Sequence, residues 1–175
     1  IDLRDNEGGE LGNGVHLLKY FMNKEFQCVN AYSVIKEDEN GQRREKHLKN
    51  KWNNYMKPKA RNHFNGNVYV FTNGGSFSCS AIVANTFKEN KRGIILGSMT
   101  GGSAFTNGGS PNKTITLPHS KILFTIPKTK YKLRSDLTEI GLGVVPDVEV
   151  EDAAMRMING KDTYIETLHK LLHTN

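Results

Sequence analysis

Val68-Tyr69-Val70-Phe71-Thr72-Asn73-Gly74-Gly75-Ser76-Phe77-Ser78-Cys79-Ser80-Ala81 is the stretch whose reading decides the fold. Its first five residues are mostly β-branched or aromatic and have the length of a buried strand. Asn73-Gly74-Gly75 ends that run and lets the chain turn sharply. Beyond it, Cys79, Ile82, Val83, Thr86 and Phe87 recur at helical spacing. Ser76, Ser78 and Ser80 alternate across the junction. Backbone N–H groups are free at a helix start, and the helix dipole favours developing negative charge there. A serine nucleophile with an oxyanion hole would occupy such a place. So would an ordinary N-cap serine, and the stretch alone leaves both readings open.

Downstream, Gly93-Ile94-Ile95-Leu96-Gly97 reads as another short buried strand. A strand, turn, helix and strand with so short a crossover imply parallel pairing and an α/β arrangement. Met99-Thr100-Gly101-Gly102-Ser103 then forms a second glycine loop. Neighbouring parallel strands bring such C-terminal loops side by side, where open α/β sheets place their sites. The loop lacks the lysine and the spacing of a phosphate-binding P-loop. Residues 104–111 read as loop. Residues 113–117 and 121–126 alternate as strands joined at Pro118-His119, with Pro127 ending the second. Residues 153–158 are helical, Asn159-Gly160 is a stop, and a last helix runs through Ile165, Leu168, Leu171 and Leu172.

Upstream, Ile1-Asp2-Leu3-Arg4 is a strand end, followed by the turn Asp5-Asn6-Glu7-Gly8-Gly9. Val15, Leu17, Leu18, Tyr20, Phe21 and Met22 make a short helix, and residues 26–35 a strand. Asn40-Gly41 signals a turn. In residues 43–61 only Leu48, Trp52, Tyr55 and Met56 are apolar, a spacing that predicts one amphipathic helix ended by Pro58.

A chain of 175 residues fits one domain or a large piece of one, and 37% hydrophobic residues with 17 glycines suit a loop-rich globular protein. No apolar run approaches a membrane span, and no charged and apolar leader pattern opens the chain. A start in mid-strand is expected of a fragment. Cys28 and Cys79 are too few for a disulfide framework or a metal site, so each is expected to pack as a small apolar residue. The net charge of +6 is local. Residues 36–61 hold nine Lys/Arg (36, 43, 44, 46, 49, 51, 57, 59, 61) against four acids (37, 38, 39, 45), a surplus of +5. That is one basic excursion, and no RNA-binding motif accompanies it.

Four segments in order resemble the serine peptidases of family S41, the tail-specific or C-terminal processing peptidases. Residues 1–9 resemble the family's DLR-x-N-x-GG element, and residues 73–81 its G-x-S-A-S-A-S-E nucleophile segment. Residues 97–102 resemble G-E-x-T-x-G, and residues 143–150 resemble G-V-x-P-D-x-x-V. The resemblance implies an α/β fold of the ClpP/crotonase-like kind, a spiral of ββα units. Residues 1–175 would be the C-terminal portion of the catalytic domain, with 36–61 a basic insertion; PDZ-like and N-terminal parts would lie upstream.

By that resemblance Ser78 is the nucleophile, and the N–H groups of Cys79 and of Gly8 or Gly9 form the oxyanion hole. The bacterial processing branch carries a lysine base where this chain has Ser103. Thr100-Gly101-Gly102 looks instead like the tricorn-core branch, whose base is a histidine supported by a serine and a glutamate. Glu139 matches that glutamate, and the histidine would precede Ile1. Of the six histidines (16, 47, 63, 119, 169, 173), His63 and His119 are the ones that could substitute. The implied substrates are polypeptides, with neither cofactor, metal nor nucleic acid, and the implied setting is exported and extracytoplasmic in bacteria. The fragment is expected to be inactive alone. A crotonase-like acyl-CoA enzyme and a non-catalytic peptide- or ligand-binding relative are the rival readings, with nucleic-acid binding through residues 43–61 a third.

Overall fold

The computed structural model of the protein describes residues 1–49, 51–104, 106–133, 141–150 and 160–173. Helix α1 (Leu11–Phe21) leads to strand β1 (Val29–Glu37) and strand β2 (Arg43–Leu48), then to a 3-10 turn at Lys51–Asn53. The sequence that decides the fold forms β3 (Tyr69–Thr72) and α2 (Cys79–Glu89), followed by β4 (Ile94–Gly97). A long hairpin of β5 (Thr106–Thr116) and β6 (Leu123–Leu133), the short β7 (Val148–Glu149) and α3 (Thr163–His173) complete the chain. The α/β fold class expected from the sequence is borne out.

Strands β3, β4 and β7 form a parallel sheet, with Tyr69 opposite Ile94 and Thr72 opposite Gly97. Residues 1–3 flank the other edge of β3: Asp2 bridges Phe71 in parallel, Phe71 N–H donates to the Ile1 carbonyl, and Leu3 N–H donates to that of Phe71. All these segments run the same way, so the loops that follow them gather at one edge of the sheet. Against this sheet packs α2, buried without a break from Cys79 to Phe87. A helix with no polar face is a core helix, and α1 covers it through Gly14, Val15 and Leu18. Phe71, Leu96, Val150 and Tyr164 make a smaller apolar cluster that seats α3.

Three expectations fail. Residues 43–61 do not form an amphipathic helix: Arg43–Leu48 is a strand paired antiparallel with β1, Tyr32 opposite Leu48 and Glu37 opposite Arg43. The turn at Asn40-Gly41, where Gly41 takes a φ of 76°, returns the chain directly onto an edge whose N–H and C=O groups need partners. That demand outweighs the helix propensity of Arg, Glu, Lys and Leu. Residues 104–111 are likewise not all loop, since β5 starts at Thr106, and Pro127 lies inside β6 rather than at its end. Pairing of β6 with β1 runs only as far as Thr129, so Pro127 sits on a free edge, opposite a register shift between Gly109 and Asn112. Bulges and edges are where a sheet tolerates proline. The second sheet thus has the order β2-β1-β6-β5. The helical reading of residues 153–158 lies outside the described residues.

Candidate active site

Three loops meet at the C-terminal edge of the parallel sheet, from residues 5–9, 73–78 and 98–103, and hydrogen bonds zip them together. Asn73 Oδ1 accepts from the N–H of Asp5 and of Gly75, each at 3.0 Å, while Asn73 Nδ2 donates to Asp5 Oδ1 at 3.0 Å. Ser76, fully buried, donates to the Leu3 carbonyl at 2.7 Å and accepts from Asn73 N–H at 3.1 Å. Gly102 N–H donates to the Ser76 carbonyl at 3.0 Å. Thr100 Oγ1 donates to the Gly102 carbonyl and accepts from Val144 N–H, which ties the segment at 143–150 to the same platform.

Geometry separates the three serines. Ser76 is bonded as above, and Ser80 donates to Asn6 Oδ1 at 2.6 Å. Both hydroxyls are structural. Ser78 is half-buried, and its hydroxyl has no hydrogen-bond partner among the described residues. It holds the N-cap position of α2 without capping it. Its backbone sits at φ 49° and ψ −118°, a region an L-residue enters at a cost of about 1–3 kcal/mol. A cap serine takes extended angles and bonds an N–H of the first turn, so the ordinary cap reading fails. The strain instead turns Ser78 out of the helix line, as at the sharp strand-to-helix turns that present nucleophiles.

The two loops that flank Ser78 leave no room. A Cβ on Gly8 (φ 101°) would lie 2.7 Å from Cys79 N and 2.8 Å from Ser78 Cβ. One on Gly102 would lie 2.9 Å from Ser78 N. Only glycine lets both backbones approach so closely. Gly8 N–H donates to Asn6 Oδ1 at 2.9 Å, whereas the N–H groups of Gly9 and Cys79 donate to no described residue. Asn6 is the residue the sequence reading passed over. Its side chain receives Gly8 and Ser80, and its carbonyl accepts from Phe77 N–H at 3.0 Å. The available signal was its place inside the DLR-x-N-x-GG element.

Cys79 points inward, its Sγ 3.8 Å from the Glu10 carbonyl, and burial pushes its thiol above the usual range. Cys28, deeper still, is pushed up to about 12 by the same cause. Neither is set up as a thiolate. Beside Ser78, a cleft of about 230 Å³ runs along Asn6, Gly8, Gly9, Glu10 and Cys79. A larger cleft, about 600 Å³, lies at the opposite end of β3 and β4 around Lys91 and Gly93. It holds none of the three serines, and volume is therefore a poor guide here.

No base reaches Ser78 within the described residues, which include all six histidines. His63 has Nδ1 at 3.0 Å from Asn65 Oδ1 and Nε2 at 2.8 Å from the Met22 carbonyl, so both ring nitrogens are occupied structurally. His119 lies exposed in the turn between β5 and β6. Ser103 occupies the position where the processing branch carries lysine, and it bridges Gly143. Glu139 lies outside the described residues. Among the described residues no cluster of His, Cys, Asp or Glu is able to hold a metal ion.

Known structures share the fold. A proposed peptidase from Parabacteroides merdae superposes with a TM-score of 0.66 at 22% identity, covering 98% of this chain and 50% of that one. Mature CPAF gives 0.70 at 15% identity, over 98% and 42%. The tricorn protease gives 0.52 at 22% identity, over 98% and 14%. The chain therefore spans about half the length, or less, of the structures it resembles. No curated protein sequence matches it significantly. Residues 1–150 match the profile of peptidase family S41, and the chain belongs to peptidase family S41.

Proposed function

We propose that the parent protein is a serine peptidase and that Ser78 forms its acyl-enzyme. The observation that carries this is the pairing of a strained, unpartnered Ser78 hydroxyl with the free N–H of Cys79 at the start of α2. Ser78 Oγ attacks the peptide carbonyl and its proton passes to a base outside the described residues. The carbonyl oxygen, now an oxyanion, is held by the N–H of Cys79 and by that of Gly9, since Gly8 already donates to Asn6. Collapse expels the amine, which takes up the proton; water then hydrolyses the ester and releases the new C-terminus.

Residues 1–175 are then the C-terminal portion of the catalytic domain, with 36–61 as a basic addition. The base is a histidine upstream of Ile1, supported by Glu139; the substrates are polypeptides, and the protein itself is exported and extracytoplasmic. The 175-residue chain is inactive by itself. A non-catalytic reading is favoured by one observation, the absence of any base beside Ser78 among the described residues. Labelling the full-length protein with a fluorophosphonate separates the two. Stoichiometric modification at Ser78, lost in Ser78→Ala, is expected, and an unlabelled Ser78 in folded protein would sink the peptidase reading.

A further inference from the structure

Asn6 ties the loop of residues 5–9 to both sides of Ser78. Its carbonyl accepts from the N–H of Phe77, the residue before Ser78, at 3.0 Å. Its side-chain Oδ1 accepts from the hydroxyl of Ser80, two residues after Ser78, at 2.6 Å. The same oxygen accepts from Gly8 N–H at 2.9 Å. A backbone N–H is only a donor, so the Gly8 bond fixes which end of the amide lies on this side. A bond from Oδ1 to the N–H two residues on is an ordinary asparagine turn. What an ordinary turn lacks is the second donor, a buried hydroxyl 74 positions away on α2.

The consequence lies in which N–H groups remain open. Asn6 occupies the N–H of Gly8, whereas those of Gly9 and Cys79 donate to no described residue. Gly8 lies so close to α2 that a Cβ on it would stand 2.7 Å from Cys79 N and 2.8 Å from the Phe77 carbonyl oxygen. The two open N–H groups belong to segments far apart in the chain, so their separation is set by whatever holds those segments in register. The Ser80 bond does so from the second residue of α2, and the Asn6 side chain carries it across to Gly8.

We propose that Asn6 is a positioning residue for acyl transfer: its side chain keeps the Gly8 N–H engaged and leaves the Gly9 N–H to hold the oxyanion together with that of Cys79. The inference rests on the peptidase reading of Ser78. Asn6 acts through the loop and does not touch the reacting atoms. The backbone bonds from Phe77 N–H to Asn6 and from Leu3 N–H to Phe71 do not involve its side chain. Asn6→Ala therefore keeps the path of the chain and loosens the register of Gly8 and Gly9. A misplacement of about 1 Å in such a constellation costs about a hundredfold in rate.

The rate of fluorophosphonate labelling of the full-length protein tests it, read apart from the fraction labelled at completion. Labelling forms a bond from Ser78 Oγ to phosphorus, expels fluoride and passes the serine proton to the base; the phosphoryl oxygen needs the same two N–H groups. Asn6→Ala is expected to label to completion but about a hundredfold more slowly, and Ser80→Ala about tenfold more slowly. Combining the two should cost little more than Asn6→Ala alone, since both remove the same hydrogen bond. A residue that merely supports the fold would lower the labelled fraction and leave the rate of that fraction unchanged. That result, or an Asn6→Ala rate within about threefold of wild type, overturns the proposal while the peptidase reading stands. So do fully additive losses in the double variant. An unlabelled wild type removes the peptidase reading and this inference with it. If Asn6→Ala fails to fold, Ser80→Ala decides, and a wild-type rate there overturns the proposal.

Discussion

The platform around Ser78 and the ribbon of β5 and β6 are stabilised in opposite ways. On the platform three loops share their hydrogen bonds, with Asn6, Asn73 and Ser76 each serving more than one partner. Backbones come so close that a single methyl would collide. On the outer ribbon, strands satisfy one another's backbone and little else, and large apolar side chains stand in solvent. The platform holds a strained residue because its surroundings over-determine it. The ribbon holds no such residue, and most of its side chains are exposed. Substitutions should therefore act strongly in the first region and weigh little on stability in the second.

The largest effect is expected at Ser78 itself. Ser78→Ala should remove labelling and peptidase activity of the full-length protein, by a factor on the order of 10⁴ or more, with little change in stability. Ser78→Gly should lose activity equally and yet raise stability by about 1 kcal/mol, because glycine occupies φ 49° without strain. Chemical denaturation of the two variants compares them directly. A Ser78→Gly protein no more stable than Ser78→Ala would show that the turn is not held under strain.

Gly8→Ala comes next. Its Cβ would meet Cys79 N at 2.7 Å, and the φ of 101° is itself unfavourable for alanine. If this loop supplies the proposed oxyanion N–H, displacing it by as little as 1 Å should cost about a hundredfold in kcat, with a smaller effect on KM. A variant with kcat intact would detach that loop from catalysis.

How much of this was legible follows from which interactions are local. The strand, double-glycine turn and helix from Val68 to Phe87, and the parallel partner at Ile94–Gly97, announce themselves because propensity and packing agree there. Preference for Ser78 among the three serines came from the family motif. The physical grounds, the hydroxyls of Ser76 and Ser80 donating to Leu3 and Asn6, join residues more than seventy positions apart. No window of sequence shows them. Arg43–Leu48 misled for the complementary reason: Leu48, Trp52, Tyr55 and Met56 have helical spacing, yet the unpaired edge of β1 decided the outcome.

A third test concerns how the platform is anchored. Arg4, just before the loop of residues 5–9, forms a two-pronged pair with Asp162 at 2.9 Å, bonds Asp2 at 2.6 Å, and stacks 4.6 Å from the centre of the Tyr164 ring. The hydrogen bond from Arg4 is the main cause that holds the carboxyls of Asp2 and Asp162 below their usual range. Folded-state values below the unfolded ones mean that this stabilisation is complete above about pH 4 and is lost as pH falls through the lowered values. Asp162→Asn should cost about 2 kcal/mol near neutrality and flatten the acid limb of the stability curve. Urea melts across that range would show an unchanged acid limb if α3 is anchored by Tyr164 alone.

The smallest effect belongs to the ribbon, and its smallness is what the comparison requires. Phe124 is large and aromatic, and in a core its loss would cost about 3–5 kcal/mol. Here it is 53% exposed and its cross-strand partner Ile115 is 38% exposed. A cross-strand pair of this kind contributes about 0.2–1 kcal/mol, while replacing phenylalanine with threonine keeps strand propensity and removes apolar surface from water. Phe124→Thr should therefore shift the stability of the full-length protein by less than about 0.5 kcal/mol. A loss of several kcal/mol in an equilibrium melt would mean that Phe124 is buried in the whole protein, and the ribbon would then be part of an interior and not an exposed surface.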